Sequence, residues 1–176
     1  MFSKRSIANR TSSDKSPADR GKYAEGEVRK FLKQLETDFV EFTFNRVQDA
    51  HAAGGRFTAQ AGDFQAFRKF KTAGASDVTA NWVIEVKQTE KPERLPYKNY
   101  SEDKVARVVK RQLAGSIPVV LICHGNDAKA LWRIVPLLVF QHRNPETPSG
   151  SWLLTDYPTM PKAQAFSILK SILETT

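Results

Sequence analysis

The run Trp82-Val-Ile-Glu-Val-Lys87 constrains the fold more than any other stretch of this chain. It is too short for a buried helix and is followed at once by a segment, 88–100, that contains Pro92 and Pro96 and cannot be a regular helix. It therefore predicts a β-strand. Successive side chains of a strand point to opposite faces, so Glu85 and Lys87 share one face while Ile84 and Val86 enter a core on the other. A carboxylate beside an ammonium on a rigid element can hold a divalent metal and also stabilise a nearby anion.

The remaining pattern supplies the elements around that strand. Tyr23, Ala24, Val28, Phe31, Leu32 and Leu35 recur at helical spacing and predict an amphipathic helix over 21–35. Residues 39–44 alternate as a half-buried strand, and 63–70 (Asp-Phe-Gln-Ala-Phe-Arg-Lys-Phe) reads as another. Between them, 49–61 holds Gly54-Gly55 and reads as a loop. The small, polar stretch 71–81 reads as a loop or widened hairpin. Ser101 caps a second helix, with Glu102 and Asp103 suited to its positive end and Gly115 to its stop. Val105, Val108, Val109, Gln112 and Leu113 form its expected inner face. Strands follow at 118–123 and 130–135, then a short helix at 136–142, a loop at 144–151 and a last helix at 161–174. This order predicts an α/β fold: a mixed, largely antiparallel central sheet flanked by helices, with the Asp63 and Glu85 strands at its middle.

Length and charge bound the rest. A chain of 176 residues suits one domain, expected at 21–176 behind a flexible basic arm at 1–20. No apolar run approaches a membrane-spanning length and residues 1–20 lack the apolar stretch of a secretory signal, so the expected setting is cytoplasmic. The single cysteine, Cys123, lies in an apolar strand and is expected to be a buried structural thiol. His51, His124 and His142 are too scattered for a zinc site. The net charge of +8 favours polyanionic partners, through phosphate neutralisation and counterion release.

Metal-assisted cleavage of a phosphodiester needs several oxygen ligands and a positive group near the attacking water. Glu85 and the backbone carbonyl of Val86 supply two oxygens, and Lys87 the positive group. A second carboxylate must come from a neighbouring strand, where either Asp63 or Asp77 qualifies. A third comes from the first helix, as Glu25 or Glu27, which do not share a face. Arg94, Lys98, Asn99, Lys104, Arg107, Lys110 and Arg111 form a basic tract just after this cluster and suit a DNA backbone. Tyr97 and Tyr100 either stack on an unpaired base or pack beneath the loop.

Four segments in order resemble the PD-(D/E)xK nuclease superfamily, and more narrowly the RecU-type Holliday-junction resolvases and their phage-encoded relatives. They are Gly21-Lys-Tyr-Ala-Glu25, Gly55-Arg-Phe-Thr-Ala-Gln-Ala-Gly-Asp63-Phe64, Val83-Ile-Glu85-Val-Lys87-Gln-Thr89 and Leu95-Pro-Tyr-Lys98-Asn99-Tyr100. The resemblance spans roughly residues 21–140. It implies a restriction-endonuclease-like core, with Asp63, Glu85, the Val86 carbonyl and Glu25 as metal ligands and Lys87 as the catalytic lysine. It favours Asp63 over Asp77, extends the DNA-binding set to Arg56, and implies magnesium, with manganese as an alternative ion. Cleavage of branched DNA by a homodimer follows, since a four-way junction needs two symmetric cuts. Other expectations are a nuclease for linear or nicked duplexes, or a DNA-binding or virion-associated protein that keeps the fold without turnover. Three features depart from the family. The 71–81 stretch looks like an insertion, Gly62 stands where a proline is common, and Gln88 stands where relatives often carry an acid.

Overall fold

The computed structural model describes residues 17–47, 61–71, 76–142 and 150–175. Helix α1 (Pro17–Asp38) begins within the segment expected to be a flexible arm. Its Ala24, Val28, Leu32 and Leu35, spaced by four, four and three residues, form one stripe that is almost wholly buried. The chain then turns at Phe39 and enters β1 (Phe42–Arg46), three residues later than the alternation predicts. Strands β2 (Phe64–Phe70) and β3 (Val78–Thr89) extend the sheet by antiparallel pairing. β3 is twice the predicted length. The hairpin zips until Phe70 faces Val78, so the last four residues of the supposed 71–81 insertion are strand, and 71–77 connects.

After β3 come a short strand β4 (Arg94–Pro96), a 3-10 turn (Tyr97–Asn99) and helix α2 (Glu102–Leu113). This crossover returns the chain to β5 (Ile117–His124), which lies parallel to β3. Gly115, at φ +91°, ends α2 in the left-handed conformation that suits glycine. Within α2 only Val105 and Val108 are buried. Gln112 and Leu113, expected on the inner face, are exposed because the last turn runs past the sheet it packs on. β6 (Leu131–Val135), a 3-10 turn (Leu137–Phe140), β7 (Ser151–Leu153), β8 (Met160–Pro161) and α3 (Lys162–Glu174) complete the described chain. The strand order is β1-β2-β3-β5-β6-β8, and β4 pairs with β7 in a separate two-stranded ribbon.

The fold is thus α/β, with a mixed central sheet between helices. One face, carrying Trp82, Ile84, Val86, Leu121 and Trp132, packs under α1 and α3. The other, carrying Val83, Val120, Ile122 and Val135, packs under α2 and the β4–β7 ribbon. Coverage on both faces explains why β3 and β5 read as near-continuous apolar runs. Cys123 is buried on the α1/α3 side, and burial pushes its thiol up to about 12. No helix among the described residues is long and apolar enough to cross a membrane.

Candidate active site

The hairpin register decides which aspartate meets Glu85. Phe64 faces Ile84, so Asp63, one residue before it, comes level with Glu85. Backbone bonds clamp this position from both sides. The Asp63 N–H donates to the Ile84 carbonyl at 2.8 Å, and the Asp63 carbonyl accepts from the Val47 N–H at 2.9 Å. Gly62 makes the approach feasible. Its φ is +80°, and a Cβ there would sit 2.6 Å from Val83 Cγ1 and 3.2 Å from the Ile84 carbonyl oxygen. Neither proline nor any other side chain suits that position.

Three charged groups meet at this point. Asp63 Oδ2 accepts the Val86 N–H at 2.6 Å and lies 3.2 Å from Lys87 Nζ. The Lys87 ammonium also pairs with Glu85 Oε1 and donates to the Val86 carbonyl at 3.1 Å. Glu85 and Lys87 are only 3% and 7% exposed, whereas the Asp63 side chain keeps 24% of its surface. The cluster is therefore a buried pair whose third member faces outward.

Burial is the largest influence on Glu85, followed by the Asp63 charge, and together they push its carboxyl up to about 6 against the pull of Lys87 and Lys104. Burial also acts to lower Lys87, but Asp63 and Glu85 outweigh it and hold the ammonium above its ordinary value. Near neutral pH the cluster therefore carries two negative charges and one positive. It is one cation short of balance. Tyr100 closes the cluster from the α2 side, its ring centroid 5.4 Å from Lys87 Nζ. Burial, then Glu85 and Asp63, raise the Tyr100 hydroxyl far above its usual range, so it stays a neutral O–H.

A cation fits this donor set. The ammonium contacts one oxygen each of Asp63, Glu85 and Val86, three of the four groups that the family resemblance implies as metal ligands, and so marks a cation position. Two carboxylates and a carbonyl are hard oxygen donors of the kind magnesium prefers, and magnesium usually keeps several waters besides. The third carboxylate does not join them. Glu25 is held at 2.7 Å by Arg46, and among the described residues no three of His, Cys, Asp and Glu gather as a metal-binding group. Glu27 serves elsewhere, between Lys30 and Lys162. Asp77 lies at the far end of the hairpin, 2.5 Å from Lys69. Eight residues of β3 separate it from the level of Glu85, roughly 27 Å at strand rise.

The basic tract divides into two groups. Arg94, Lys98, Lys104, Lys110 and Arg111 are exposed. Asn99 is partly buried and donates to the Gln88 carbonyl at 3.3 Å, so it braces the end of β3. Arg107 is partly buried as well, with Nε enclosed. Arg56 and His51 lie outside the described residues. His124 ends β5 and is partly buried. Its Nδ1 meets the Lys91 carbonyl at 3.1 Å, and burial together with Arg133 lowers the ring to about 4, leaving it neutral.

Sequence reasoning missed one contact and one residue near the site. Tyr100 is buried beneath the loop, one of the two places expected for it, but its contact with Lys87 has no local signature. Arg133 is 6% exposed and is capped by the carbonyls of Leu154 and Pro92. It faces Ile122, which in turn faces Lys87, so it occupies the same row of the sheet two strands away. Its place inside an apolar strand was the only available signal. No model of a known protein family matches the chain, and no curated protein matches it.

Proposed function

We propose that this protein is a magnesium-dependent endonuclease acting on DNA, and on branched DNA in particular. One observation carries the reading: the Lys87 ammonium sits among Asp63, Glu85 and the Val86 carbonyl, next to a surface that Asp63 reaches. A protein that only bound DNA would gain nothing from two carboxylates there, because they repel phosphate unless a cation accompanies them. The strand order supports the restriction-endonuclease-like core that the sequence resemblance implies, with β2 and β3 adjacent near the middle of a mixed sheet.

Asp63, Glu85 and the Val86 carbonyl would hold the metal, with manganese able to replace magnesium. When bound, the ion supplies positive charge at the scissile phosphate and acidifies water. Lys87 orients the attacking water and stabilises the charge that develops on the phosphate. Asp63 is the group closest to solvent, so it meets substrate first. Glu25 contributes through water at most, given its bond to Arg46. Lys104 adds positive charge at the rim, where its field already reaches Glu85. Arg94, Lys98, Lys110 and Arg111 track the DNA backbone, in a homodimer that makes paired cuts in the cytoplasm of the cell in which it acts.

Incubation with an end-labelled four-way junction and magnesium tests the proposal. Wild-type protein is expected to cut the junction, and a Glu85→Ala, Lys87→Ala double variant is expected to be inert. Undiminished cleavage by the double variant overturns the assignment. A panel of linear, nicked and branched substrates decides the preference, and salt-sensitive binding without cleavage under any divalent ion leaves only a binding role.

A further inference from the structure

Tyr100 is fully buried, yet its hydroxyl has no hydrogen-bond partner among the described residues. Buried hydroxyls are nearly always satisfied by protein or water, so an exception beside a charged cluster calls for an explanation. The residue is also rigidly held. Its N–H donates to the Tyr97 carbonyl at 3.1 Å, and its carbonyl accepts the Trp152 indole N–H at 3.2 Å. The Phe140 ring meets its ring edge-on, with centroids 5.0 Å apart. A ring so fixed, with its centroid 5.4 Å from Lys87 Nζ, limits where the ammonium can go.

We propose that Tyr100 is a positioning residue of the Asp63–Glu85–Lys87 site: its ring keeps the ammonium between the two carboxylates, and its buried hydroxyl is the donor for an oxygen ligand entering with substrate or metal. The oxygen belongs to a water or to a phosphoryl group. The hydroxyl half rests on the nuclease reading given above. The ring half does not.

Tyr100→Phe and Tyr100→Leu separate the two halves. The Lys87 side-chain resonances, assigned by their absence in Lys87→Arg, are expected to show an upfield ring-current shift in wild type. That shift is expected to survive in Tyr100→Phe and vanish in Tyr100→Leu. With junction DNA and magnesium, Tyr100→Phe is expected to lower kcat about tenfold with KM nearly unchanged, and Tyr100→Leu about hundredfold. Manganese affinity is expected to fall in the same order. An unshifted Lys87 in wild type overturns the ring role. Wild-type kcat and manganese affinity in Tyr100→Phe overturn the hydroxyl role. If wild-type protein cuts no DNA, the nuclease reading fails, while the Lys87 shift and the manganese titration still decide this proposal.

Discussion

The sheet carries an acid–lysine cluster on each side, and the two behave in opposite ways. On the α1/α3 side, Glu27 accepts from Lys162 at 2.6 Å and Lys30 at 2.7 Å, tying the two helices together near the surface. The hydrogen bonds from these lysines hold the Glu27 carboxyl below its ordinary value, and the Glu27 bond in turn raises Lys162. On the α2 side, Glu85 also contacts a lysine, yet its carboxyl is pushed up. The difference lies in burial and in the count of charges. Glu27 has two lysines and partial access to water; Glu85 shares one lysine with Asp63 and has almost no access. The same residue types therefore make a structural tie in one place and a buried cluster with more acids than lysines in the other.

The largest expected effects come from removing the lysine in each cluster. Lys87→Met leaves two neighbouring carboxylates without their counter-ion and is expected to cost about 3–5 kcal/mol in urea unfolding. Cleavage should fall by about 10²–10³-fold. Lys162→Met should cost only about 0.2–1 kcal/mol, because Lys162 is a surface partner. Equal losses in the two variants would break the distinction between the clusters. Asp63→Asn should abolish cleavage while DNA binding persists, and Asp77→Asn should leave cleavage unchanged; the reverse would dismantle the register argument. Gly62→Ala sharpens it further. Strain at φ +80° and the clash with Val83 are expected to cost about 1–3 kcal/mol and to displace Asp63.

The last effect is one of sign. Glu85 in the folded protein titrates at about 6, above its ordinary value of 4.5, so the native state binds the extra proton between these values. Its contribution should make folding more favourable as pH falls from about 6 to 4.5, by on the order of 1–2 kcal/mol, while metal binding weakens over the same window. Glu27 has a lowered folded value. Its stabilisation should be complete above about 4.5 and be lost as pH falls further. Unfolding curves of Glu85→Gln and Glu27→Gln, each subtracted from wild type across pH 3.5–7, should therefore slope in opposite directions. Parallel slopes would refute the contrast.

How much of this was legible in the sequence varied with the range of the interactions involved. α1, β2, β3, α2 and β5 announce themselves through periodicity, because each buries a repeating set of side chains. Glu85 and Lys87 follow from the same alternation. Periodicity and spacing alone did not choose between Asp63 and Asp77, since that depends on how far the hairpin zips beyond the strand core; only the family resemblance favoured Asp63. β4 and β7 were missed because three-residue strands far apart in the chain leave no period to detect. Glu25 illustrates a different limit. Its place on the helix was correct, but its bond to Arg46 depends on where β1 ends.

One consequence follows from β3 lying between an antiparallel and a parallel neighbour. β2 is reached through the connection 71–77, whereas β5 and the α2 cover must wait for the stretch 90–116 to close. Loop-closure entropy favours the shorter connection. Asp63, Glu85 and Lys87 are thus expected to come together while still wet, with desolvation deferred until Tyr100 and α2 dock. In that order the crossover would be the drying step of this site. Amides of α2 should exchange with solvent sooner than those of β2 and β3, and each such opening would briefly return the cluster to water.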